Sequence, residues 1–184
     1  MNAKKYTAQD IADWFVIYNQ KFVETEEAEL ITPMKLQKLL YYAQAAFLAL
    51  KDVSLFDDEI EKWPHGPVVR SVYQKYSFLG ANGIDPLRTS HGEEKISNAD
   101  ERLLEAVYEK YSQFSASALR NKTHLEAPWR DAGRHEIISK DSIKKYYKEN
   151  VYNDEKIFAN IPVVNALPKE WYDAEEDALW EAYL

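Results

Sequence analysis

The chain has 184 residues, a formal net charge of -8 and no cysteine. That length suits one domain, or one domain with an appendage, with a core that needs no staples. The lack of cysteine excludes disulfides, thiolate metal sites and a cysteine nucleophile, and fits a reducing cytoplasm; the acidic balance argues against nucleic acid as the main partner and favours a basic protein.

Thr7 is read as the cap of a first helix, with Asp10 in its first turn. Ile11, Trp14, Phe15, Tyr18 and Phe22 then recur at helical spacing. Residues 23–31 carry Glu24, Glu26, Glu27 and Glu29 and read as a solvated acidic loop or a frayed helix end. Thr32 caps the next helix, and Pro33 takes its first position, where a missing N–H costs nothing. Leu36, Leu39, Leu40, Ala43, Phe47 and Leu50 share one face of it, and Tyr41 and Leu48 widen the apolar arc. A helix this apolar, over about 33–50, belongs at the centre of the domain.

Gln37, Tyr41, Gln44 and Leu48 form a second stripe on that helix. An unpaired buried amide costs about 1–3 kcal/mol. The plainer expectation is therefore that both glutamines bond a neighbouring backbone and fix a strand or loop. The sharper one is that they line a recognition groove.

Residues 59–63 read as a short strand stopped by Pro64. Gly66 and Pro67 read as the start of a helix whose buried side is Val68, Val69, Val72, Tyr73 and Tyr76. Turn signals at Asn82-Gly83 and Asp85-Pro86 mark a loop over 78–91. Ser97 opens a helix with Leu103, Leu104, Val107, Tyr108 and Tyr111. Ser115 opens a shorter one with Ala118, Leu119 and Lys122. Ala127-Pro128-Trp129 is a third proline-opened start, and Ser139 and Asp141 precede a last core helix with Ile143, Tyr146 and Tyr147. Beyond 151, the stretch 157–167 is β-branched and proline-broken, with an edge strand expected at 161–164. A terminal helix bearing Leu179, Trp180, Tyr183 and Leu184 follows. Between Glu170 and Leu184 there is no Lys or Arg.

The fold expected is mainly α, a compact bundle of about five to seven helices around the central apolar helix with a small β element. Two parts are expected, a domain over 1–150 and a C-terminal extension over 151–184. The longest apolar stretch, 39–50, contains Gln44 and falls short of the ~20 residues that span a bilayer. No apolar signal core follows Met1, so no membrane partner and no export are expected.

Catalytic signatures are missing. His65, His91, His124 and His135 are scattered, and there is no H-E-x-x-H, no G-x-S-x-G and no phosphate-binding glycine loop. The cluster Asp57, Asp58, Glu59 and Glu61 reads as a solvated edge, because a catalytic pair needs a desolvated member. His65 reads first as a packing residue beside Trp63, and second as a proton shuttle or partner contact. No metal and no cofactor are expected.

Three stretches nevertheless resemble one family. They are Met34-Lys35-Leu36-Gln37-Lys38-Leu39-Leu40-Tyr41-Tyr42-Ala43-Gln44, then Leu55 through Trp63-Pro64-His65-Gly66-Pro67-Val68-Val69 to Tyr73, and Leu119 through His124-Leu125-Glu126-Ala127-Pro128-Trp129-Arg130. In this order they resemble the Panacea domain of the SocA-like antitoxins. Arg70 stands where proline is common in such proteins, and Ala127 where glycine is common.

The resemblance implies a cytoplasmic, non-enzymatic, bacterial or phage-encoded antitoxin. Its partner would be a cognate protein toxin, neutralised by direct binding. One branch of the family instead delivers its toxin to a protease. No catalytic residue follows from the resemblance. Two regions are candidates for partner contact: Lys35, Gln37, Lys38, Tyr41, Trp63 and His65, and the acidic-aromatic end with Trp171, Trp180 and Tyr183. The competing function is a small-ligand or enzymatic pocket built from Gln37, Tyr41, Gln44 and His65.

Overall fold

A computed structural model describes residues 6–89 and 96–152. Among these are seven α-helices: α1 (Ala8–Glu24), α2 (Pro33–Leu50), α3 (Arg70–Tyr76), α4 (Asn98–Tyr111), α5 (Ala116–Leu125), α6 (Ala127–Arg130) and α7 (Lys140–Asn150). Two strands, β1 (Glu61–Trp63) and β2 (Gly66–Val68), pair antiparallel with Glu61 opposite Val68 and Trp63 opposite Gly66. The fold is mainly α with one small hairpin. The strand expected at 161–164 and the terminal helix lie outside the described residues.

The caps read from the sequence form. The Thr7 side chain accepts from the Asp10 N–H while Asp10 reaches back to the Thr7 N–H, a reciprocal box. Thr32, Ser97, Ser115 and Ser139 cap α2, α4, α5 and α7 with the one-way half of that arrangement, each accepting from a backbone N–H in the first turn.

Helix α2 is buried on every side except at Lys35 and Leu50. It packs against α1, α3, α4, α5, α7 and β2, which makes it the axis of the domain. Full burial of each Leu or Phe along it contributes about 1.5–3 kcal/mol relative to exposure. Its two glutamines act as backbone clamps. Gln37 accepts from the Val69 N–H (2.7 Å) and donates to the Val69 carbonyl (3.4 Å). Gln44 accepts from the Leu55 N–H (2.8 Å) and donates to the Phe56 carbonyl (3.0 Å). The plainer expectation for both side chains therefore holds: each pins an irregular segment to the axis.

One expectation fails. Gly66 and Pro67 do not begin a helix; they form β2, and α3 starts at Arg70. The proline signal is ambiguous here, because Pro at the second position of a strand reads like Pro at the first turn of a helix. Gly66 decides the matter. Its φ of 102° is a conformation that side-chain-bearing residues rarely adopt, and a Cβ there would lie 2.7 Å from Lys38 Cε and 2.9 Å from Thr123 Oγ1. The hairpin thus sits directly on α2 and α5. As a result Tyr73, expected in the core, is half-buried, whereas Val72 and Tyr76 are buried.

Candidate functional site

The hairpin carries two environments, one beneath it and one on its outer face. Beneath it lies Lys38, with no solvent exposure and its Nζ donating to the Pro67 carbonyl at 3.1 Å. Burial first, and the charge of Arg120 second, push its amine down to about 7. His65 is also buried, and its pKa is lowered by burial, then by Arg120 and Lys38. His124 is pushed down to about 3 by burial, with Arg120, Lys38 and His65 acting in the same direction. Its ring stacks on Trp129 at 3.8 Å and 12°. These groups hold one another toward the neutral form. A near-neutral amine is a nucleophile in principle, but Lys38 is enclosed on all sides and is positioned to support the hairpin.

A second buried network adjoins it. The Glu126 carboxyl accepts from Tyr41 (3.1 Å) and Tyr147 (2.7 Å) through Oε2, and Lys122 Nζ stands 3.4 Å from Oε1. Burial raises the Glu126 pKa against the opposing pull of Lys122 and the two hydroxyls. Tyr42 stacks on Tyr111 with ring centres 3.9 Å apart. Glu126 is also the residue that turns the chain from α5 into α6. This network ties α2, α5 and α7 together. Tyr41 is thereby occupied in the interior.

The outer face is different. Trp63 on β1 is half-exposed, and around it stand Tyr73 (ring centres 4.7 Å), the exposed His135 (6.4 Å) and the exposed Arg70 guanidinium (5.5 Å above the indole). Glu61 binds the group together, accepting from Trp63 Nε1 at 2.9 Å and from Arg70 Nε and Nη2 at 2.9 and 2.7 Å. That pairing lowers the Glu61 pKa, chiefly through the Arg70 hydrogen bonds. From behind, Trp129 Nε1 donates to the Trp63 carbonyl, and Lys62 donates to the carbonyls of Arg130 and Ala132. The result is a rigidly backed patch of Trp, Tyr, Arg and His at the surface.

Of the residues singled out in the sequence, Trp63 lies on this patch, and Gln37, Lys38, Tyr41 and His65 lie beneath or behind it in the interior. Lys35 is half-buried in a separate small cleft with Glu29, Leu30 and Met34, its Nζ donating to the Ser112 carbonyl. Trp171, Trp180 and Tyr183 lie outside the described residues. Sequence reasoning missed Arg70, Tyr73 and His135. The β1–β2 register would have found the first: Val68 opposes Glu61, so Arg70, two residues on, returns to the Glu61 side. No local signal marks His135.

No group of three or more His, Cys, Asp or Glu able to hold a metal occurs among the described residues, and no helix there is long and apolar enough to cross a membrane. No curated protein and no solved structure matches the chain. A family model does: the SocA-like antitoxin Panacea domain matches residues 36–130, from α2 through the hairpin to the end of α6. The matched span contains nearly all of the buried axis, its glutamine clamps, Lys38 under the hairpin and the Glu126 turn, and it covers just over half of the chain, so the chain belongs to the SocA-like antitoxin family, with a Panacea domain.

Proposed function

We propose that this protein is a cytoplasmic antitoxin that neutralises a cognate protein toxin by binding it directly, without catalysis, and that the hairpin face makes the contact. Family membership supports the antitoxin role. The observation that carries the contact surface is the Trp63–Arg70–Tyr73–His135 patch. Trp, Tyr and Arg are the residue types that dominate binding energy when they are pre-ordered and backed by rigid structure. Here β1, Glu61 and Trp129 hold the indole before any partner arrives, so little ordering entropy remains to be lost on binding.

The test begins with the neighbouring reading frame. Expressed alone it should arrest growth, and co-expression of this chain should restore it. The two proteins should then co-purify at unchanged toxin level. Loss of the toxin polypeptide on co-expression would instead identify a protease adaptor, and a neighbour harmless on its own would contradict the antitoxin role.

A further inference from the structure

We propose that residues 157–167 of this chain dock in the open groove between α6 and α7 of the same molecule. The groove has a volume of about 590 Å³ and is lined by residues including Leu125, Pro128, Ile137 and Tyr146. Leu125 is 61% exposed and Ile137 52%, so two of the large apolar side chains that the described fold leaves in water face one cleft. Large apolar side chains left exposed in a shared cleft offer a seat for an apolar segment.

The occupant follows from where the chain goes. Helix α7 forms one wall through Ser142, Lys145, Tyr146, Glu149 and Asn150, and the chain leaves that wall at Tyr152. Ile157 comes five residues later, a reach of at most about 17 Å. The stretch 157–167 supplies Ile157, Phe158, Ile161, Val163, Val164 and Leu167. A tether this short gives the segment a millimolar effective concentration at the groove, which favours it over a free competitor of equal intrinsic affinity.

Charge does not decide the placement. Residues 153–184 contain eight acidic side chains and two lysines, but three of the four α7 lysines are already engaged, Lys144 and Lys148 with Asp52 at 2.6 and 2.9 Å and Lys140 with Asp57 at 4.0 Å. The groove itself is mixed, with Arg130 paired to Asp131 and Lys145 near Glu149. Apolar fit and tethering therefore position the segment.

Trypsin gives the test on the full chain, because Lys156 and Lys169 are the only basic residues after Tyr152. The double variant Leu125→Asp/Ile137→Asp should be cut at Lys156 at least about tenfold faster than the parent, since native-state cleavage follows the open population. Its unfolding midpoint should fall by no more than the lost docking contributes, because neither residue belongs to the packed core. Equal cleavage rates would overturn the proposal. A cysteine pair, Ile137→Cys with Val163→Cys, is clean in this cysteine-free chain. A bismaleimide should link it within one molecule, and a linked dimer or no link would also overturn the proposal. Neither readout involves toxin rescue, so failure here leaves the antitoxin reading standing.

Discussion

Replacing Lys38 by Met should stabilise the protein near neutral pH and abolish part of its pH dependence. Lys38 is fully buried, and the only hydrogen bond it makes among the described residues is to the Pro67 carbonyl. Its amine has a folded value of about 7 against an ordinary 10.5. Between those values the unfolded chain binds the proton and the folded chain releases it, so stability must rise with pH through that window. Below about 7 both states are protonated and the penalty is full, about 5 kcal/mol. By about pH 9.5 some 3 kcal/mol of it has been recovered.

Methionine fills similar volume without the charge, but it leaves the Pro67 carbonyl short of a donor, a loss of about 1–3 kcal/mol. The variant should therefore be about 2–4 kcal/mol more stable than the parent at neutral pH and equal to it or less stable near pH 9.5. Urea unfolding of both proteins across this range, followed by circular dichroism, measures the difference. The range must stop short of pH 10, where the buried tyrosines Tyr41, Tyr42, Tyr111 and Tyr147, whose pKa values burial raises, add a separate alkaline loss. A stability difference that stays constant with pH would refute the reasoning, because it would mean that Lys38 stays charged in its enclosure.

Other outcomes follow from the same interior. Gly66→Ala should lower stability by about 2–4 kcal/mol in thermal or urea unfolding, since it combines a disfavoured φ with contacts on Lys38 and Thr123. Glu126→Ala should cost about 3–5 kcal/mol by leaving two tyrosine hydroxyls and Lys122 without their acceptor, whereas Tyr147→Phe should cost only about 1–2 kcal/mol. If the toxin is basic, stopped-flow association should slow with added salt far more than dissociation does, given the net charge of -8. An association rate indifferent to ionic strength would remove electrostatic steering from the account.

Much of the fold was legible in the sequence because its signals were local. Thr7, Thr32, Ser97, Ser115 and Ser139 each announced a helix start, and the apolar run of α2 announced a buried axis. Gln37 and Gln44 were legible for a simple reason: amides on a core helix must bond something, and irregular backbone was the nearest candidate. The hairpin was only half legible, because Gly66-Pro67 has the composition of a helix start and its strand role depends on the close approach of Lys38 and Thr123 from distant parts of the chain.

The candidate site was the least legible part. Lys38 looked like a surface cation and proved to be enclosed, since nothing local tells which side of a helix a hairpin will cover. The outer patch joins residues from β1, α3 and the loop before α7, and only the fold brings His135 to Trp63.

The most direct measurement is the affinity of the purified toxin for this chain and for the variant Trp63→Ala/Arg70→Glu, by calorimetry at fixed salt. Direct neutralisation through the hairpin face predicts a loss of at least about 2 kcal/mol, some thirtyfold in Kd, with the variant still folded. An unchanged Kd would contradict it.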